Sequence, residues 1–109
     1  MVIQHAETEF NTLCHLMSQS ITVQVGQRVR RGNLIARCGN LGNTSEPHLH
    51  FQVQNTKGFY ASIGLPLRFA PIRKSLMPMY EKIDPRPMPD YENLNDEHIA
   101  TGFIVENIT

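Results

Sequence analysis

Apolar and polar positions alternate in short runs along the first seventy residues, and glycine or small polar clusters interrupt the runs. Residues 2–5 (VIQH) read as a strand, Ala6-Glu7-Thr8-Glu9 as a turn, and residues 10–16 as a second strand at hairpin spacing, so the two are expected to pair antiparallel. Ile21, Val23 and Val25 then alternate with Thr22 and Gln24 until Gly26 breaks the run. A further strand is expected from Leu34-Ile35-Ala36, after Gly32 and before Gly39 and Gly42. His48 to Gln54 alternates again and predicts another strand, and residues 59–69 read as a loop around Gly64-Leu65-Pro66.

Short strands joined by glycine corners predict an all-β class, an antiparallel β-sandwich or barrel. From residue 73 the character changes. Four of the seven prolines fall in KSLMPMYEKIDPRPMPDYENLNDEH, spaced against both helix and central strand. The expected organisation is therefore a β domain over 1–72 and a Pro-rich extended tail over 73–109, lying on the surface or crossing to a neighbour and ending in a strand at 99–108. Val2 and Ile3 already read as strand with neither leader nor cap before them, so the sequence is expected to start inside a domain, N-terminally incomplete.

Composition narrows the function classes. Lys+Arg and Asp+Glu number ten each and the formal net charge is zero, which leaves no basic surplus for a phosphate backbone or an anionic membrane. Arg28, Arg30 and Arg31 form the densest basic cluster and read as a solvated edge. No apolar run approaches the ~20 residues that cross a bilayer. Nucleic acid and membrane are not expected partners. Cys14 and Cys38 fit no metal motif and read as two small buried hydrophobes.

The chemistry concentrates in TSEPHLHFQVQ. Residues two apart on a strand share a face, so His48 and His50 are expected side by side with Leu49 turned into the core. His50 and Gln52 share the polar face, and Phe51 and Val53 the core face. Two imidazoles in one place suit a metal ion or proton transfer, although HxH alone also describes an ordinary solvated strand.

The runs VIQH, LCHL and VQVGQRVRRGNLIARCGNLGNTSEPHLHFQVQ, in that order and at that spacing, resemble the C-terminal part of the catalytic domain of lysostaphin-type zinc metallopeptidases, the peptidoglycan endopeptidases. The likeness covers residues 2–69 and implies a barrel-sandwich hybrid fold (the duplicated hybrid motif), zinc as cofactor, a peptidoglycan peptide as substrate and an extracytoplasmic setting. It also implies that His50, the second histidine of HLH, is a zinc ligand. His48 and His15 are then the catalytic histidines that handle the attacking water and the tetrahedral intermediate.

The family's other two ligands come from an HxxxD motif ahead of VIQH, where this sequence has Met1 alone, so the zinc site is expected to be incomplete and the chain inactive by itself. His5 and Glu9 have HxxxE spacing, but a hairpin turn separates them, whereas a helix would bring them together. His98 reads as a surface histidine. Uncovered strand edges predict a homodimer by strand or tail exchange. Two other classes remain in view. One is a non-catalytic peptidoglycan-binding or regulatory module of the same fold. The other is a biotinyl or lipoyl carrier, which VQVGQRVRRGNLIA resembles, though Lys57, Lys74 and Lys82 do not sit in a carrier hairpin.

Overall fold

The structure is a computed structural model that describes residues 1–69, 72–87, 99 and 103–107. The chain divides into two compact units, Met1–Leu65 and Pro66–Thr109. Every regular element among the described residues is a strand, apart from one 3-10 turn at Tyr80–Lys82, and every ladder is antiparallel. The all-β class read from the alternation therefore holds, in keeping with a barrel-sandwich hybrid.

In the first unit β1 (Val2–Ala6), β2 (Glu9–Cys14) and β3 (His50–Gln54) form a sheet in that order. The β1–β2 hairpin places Val2 opposite Thr12 and Gln4 opposite Phe10, and its register slips between Gln4 and Ala6. Such a bulge re-aims the residue it leaves unpaired, here His5, whose Nε2 lies 2.8 Å from Asn11 Oδ1. β2 and β3 pair from Phe10–Gln54 to Cys14–His50. The buried positions are mostly polar: Asn11, Thr12 and Gln54 lie inside together with Leu13. That is tolerable only where each polar atom finds a partner, and no buried side-chain nitrogen or oxygen among the described residues lacks one.

Two expectations for β3 are corrected. Leu49 does not enter the core; it is exposed, as is Phe51. The buried residue of β3 is Gln54, on the same face as His50 and Gln52, so the face expected to be solvated runs inward. The reason is the pairing: Thr12 of β2 and Gln54 present complementary polar groups, and satisfied amides pack where unpaired ones would not.

The strands expected around residues 21–25 and 34–36 are likewise not ladder strands. The backbone runs extended, but contacts between its two arms are sparse, with Thr22 N–H donating to Ile35 O at 3.0 Å and Met17 N–H to Arg37 O at 2.8 Å. Two tight turns account for the break. Gln27 N–H bonds Gln24 O, Asn33 N–H bonds Arg30 O, and each turn carries glycine third, Gly26 at φ 85° and Gly32 at φ 88°, as a type II turn requires. Ile21, Val25 and Leu34 remain exposed and Val23 and Ile35 are only half-buried, so the apolar half of the alternation finds no fully closed core. Cys14 is half-buried and Cys38 exposed, and both thiols are free.

In the second unit, Ile72–Leu76 forms β4, a strand at the start of the segment expected to be a Pro-rich extension. It pairs with β5 (Phe103–Asn107), which falls within the strand expected over 99–108. Pro78, Pro85 and Pro87 lie outside both strands, where a missing N–H costs no ladder bond. Beyond β4, the Arg86 guanidinium donates hydrogen bonds to the Asp84 carboxylate and holds its pKa well below the usual carboxylate range.

Candidate functional site

β2 ends at Cys14, and the next residue, His15, takes a left-handed backbone with φ 60°. A non-glycine residue held there costs on the order of 1–3 kcal/mol, a strain that surrounding structure must hold in place. The support is visible. Gly39 N–H donates to His15 O at 2.8 Å, and Leu16 and Cys38 form an isolated antiparallel bridge. The GNLGN loop wraps the ring: His15 Nδ1 lies 2.7 Å from Leu41 O, and a Cβ on Gly42 would lie 3.5 Å from the same nitrogen. Gly39 permits the approach, since a Cβ there would fall 2.5 Å from Met17 Cα and 2.8 Å from Leu16 C.

His48 stands just before β3, in an isolated bridge with Gly39. Its Nδ1 lies 2.7 Å from Glu46 O and 3.0 Å from Thr44 Oγ1. His50 opens β3 opposite Cys14, with Nε2 at 2.9 Å from Gln52 Oε1. The structure thus gathers the three histidines singled out by the motifs. The His15 ring centroid lies 4.6 Å from that of His48 and 5.9 Å from that of His50. The ring in contact with both others is His15, which directly follows β2. Phe59 closes against His50 edge-on at 6.1 Å.

The partners fix the tautomers. A backbone carbonyl only accepts, so a ring nitrogen bonded to one must carry the proton. In their neutral forms His15 and His48 are therefore Nδ1–H imidazoles with the lone pair on Nε2, and no hydrogen bond to either Nε2 forms among the described residues. Two basic nitrogens on adjacent rings are what proton transfer near neutral pH needs. His50 is held by its other nitrogen, and its Nδ1 has no hydrogen-bond partner among the described residues.

A catalytic zinc takes three protein ligands and leaves one position open. The donor chemistry of His50 fits one of them. No group of three or more His, Cys, Asp or Glu is arranged to hold a metal ion among the described residues. The HxxxE pair does not substitute, since His5 bonds Asn11 and Glu9 is exposed on the far side of the turn. His98 lies outside the described residues.

Phe59, Leu41 and Thr44 are site residues that sequence reasoning did not single out. Phe59 left no signal, being in a segment read as loop. The carbonyl of Leu41 left none either, since a backbone acceptor is not encoded by residue type. A groove of about 1050 Å³ runs between β1 and the 21–35 arm, and none of the three histidines lines it.

Three comparisons bear on these residues. The family model "Peptidase family M23" matches residues 1–61, a span that contains all three histidines and their hydrogen-bond partners. Peptidoglycan DD-endopeptidase ShyA of Vibrio cholerae serotype O1 is 42% identical over 53 residues, which is 49% of this chain and 12% of that protein. The chain thus corresponds to a small part of that relative's length. No solved structure matches it. Since the family match takes in more than half of the sequence and the whole of the histidine cluster, the chain belongs to Peptidase family M23, whose members generally depend on zinc.

Proposed function

We propose that this chain is the histidine-bearing part of a zinc-dependent peptidoglycan endopeptidase domain that acts on cell-wall peptides outside the cytoplasm. His50 is the zinc ligand it contributes, and His15 and His48 are its catalytic histidines. The observation that carries this reading is the pair of adjacent imidazoles, 4.6 Å apart, each held as Nδ1–H with a free Nε2. Among the described residues there is no helix long and apolar enough to cross a membrane.

The residues act as follows. His48 is exposed to solvent. Its Nε2 accepts the proton of an attacking water and returns it to the leaving amine. His15, half-buried and clamped by Leu41 O, presents a second Nε2 to the same reacting group. Once protonated it is a donor for the developing oxyanion. Both Nδ1–H bonds to carbonyls strengthen when the rings become cationic, which stabilises the charged state that general base catalysis passes through. Zinc, when bound, supplies a polarised carbonyl and a water acidified toward pKa ~7.

With one of the three ligands, the 109-residue polypeptide alone is inactive in this reading. Purified in zinc-containing buffer it should hold far less than one zinc per chain and release no peptides from isolated sacculi. Near-stoichiometric zinc that disappears in His50→Ala would overturn the inactivity. An in-frame HxxxD in the DNA upstream of Met1 would mark the parent as an active peptidase.

The second reading, a non-catalytic peptidoglycan-binding module, draws on the absence of a three-residue metal group among the described residues. Retention on sacculi, together with no zinc-dependent cleavage by the chain in its full genomic context, would favour it.

A further inference from the structure

β3 carries a run of hydrogen bonds with a fixed direction. Gln54 is fully buried, and its Nε2 donates to the backbone carbonyl of Thr56 at 2.8 Å. Because that carbonyl only accepts, the Gln54 amide can point one way only, with Oε1 facing back along the strand. There Oε1 accepts from Thr12 Oγ1 at 2.9 Å and from Gln52 Nε2 at 2.8 Å. With its NH2 engaged, Gln52 turns Oε1 to His50, and an amide oxygen 2.9 Å from a ring nitrogen requires that nitrogen to carry the proton. The polarity therefore starts at a main-chain atom of residue 56 and ends at a side chain of residue 50. The i, i+2, i+4 spacing of a strand makes it possible, since all three side chains share one face.

We propose that Gln52 is a positioning residue of the site. Backed by Gln54 and Thr12, it holds His50 as the Nε2–H tautomer and leaves Nδ1 as the single lone pair on that ring open to a metal. The metal half of this proposal rests on the reading of His50 as a zinc ligand; the proton half does not. A ligating histidine whose second nitrogen is fixed by a hydrogen bond is pre-oriented and more basic, and loss of such a partner lowers metal affinity by about 10–100-fold. The cluster then holds two opposite tautomers, with Nε2 free on His15 and His48 and Nδ1 free on His50. One set of imidazoles is thereby divided between proton transfer and metal binding.

Nitrogen-detected NMR of the metal-free polypeptide, above the imidazole pKa, tests it. The wild type should show His50 protonated at Nε2, with a slowly exchanging proton. Gln52→Leu should lose that signal, with exchange faster by at least about tenfold and weak zinc binding, followed by titration, reduced by about 10–100-fold. Gln52→Glu keeps an acceptor beside His50 but offers no donor to Gln54 Oε1, so it should retain the His50 proton while the fold loses stability. That split is one a merely structural role would not give. An Nδ1–H His50 in the wild type, unchanged exchange in Gln52→Leu, or a proton lost equally in both variants overturns the proposal. Zinc binding that is unchanged in His50→Ala overturns the ligand reading, and with it the metal half, while the proton readout still decides the ladder.

Discussion

β2–β3 pairs Phe10–Cys14 with Gln54–His50, and β4–β5 pairs Ile72–Leu76 with Asn107–Phe103. Each is an antiparallel ladder of ordinary register, and each carries a polar cross-strand contact. In the first pair, Thr12 meets Gln54 at 2.9 Å in the interior, and the bond continues through Gln52 to His50. In the second, Arg73 meets Glu106 at 3.6 Å with side chains 71% and 62% exposed. The same kind of contact does different work in the two places. A buried amide must be satisfied, so its partners are held in one orientation and pass that orientation on. An exposed ion pair competes with water and fixes little. The histidines stand at the end of the ladder whose side chains have no freedom to choose.

Gln54→Leu tests this contrast most severely. It strands the Thr12 hydroxyl, the Gln52 amide and the Thr56 carbonyl, and urea unfolding should show a loss of about 3–4 kcal/mol. A change below about 1 kcal/mol would mean that the interior of this sheet is as tolerant as the surface of the other. Gly39→Ala comes next. Its Cβ would press on Met17 and Leu16 main chain, so a loss of about 2–3 kcal/mol is expected. The damage should be local to the site, with NMR shifts concentrated at His15 and His48, because Gly39 bonds one and bridges to the other. Arg73→Ala marks the small end. Stability should change by no more than about 0.5 kcal/mol, and the effect should shrink with added salt; a larger cost would erase the distinction between the two ladders.

Much of this was legible in the residues. Alternation located β1, β2 and β3, and the motif around His48 and His50, together with LCHL, named three histidines that the fold does bring into contact. The same alternation misled at Ile21, Val23 and Val25. An alternating run specifies extended backbone, but pairing also needs a neighbouring strand at ladder distance and a core to receive one face, and Gly26 and Gly32 turn the chain before either is met. Residues 72–76 misled in the other direction. The prolines that argued against a strand begin at Pro78, beyond its end, and β5, its partner, lies about thirty residues further along.

Residue types and spacing alone determined the class of the fold, the family and the identity of the three imidazoles, because these depend on short-range pattern and on side-chain chemistry that a residue carries wherever it sits. The tertiary structure decided which nitrogen of each ring holds a proton, and which face of β3 is interior. Leu41 O reaches His15, and Thr12 reaches Gln54, only when separate segments meet, whereas Glu46 O and Gln52 lie two residues from the rings they hold and need only the local backbone to aim them. At Gln54, burial then removes the water that would otherwise have let the amide choose its own orientation.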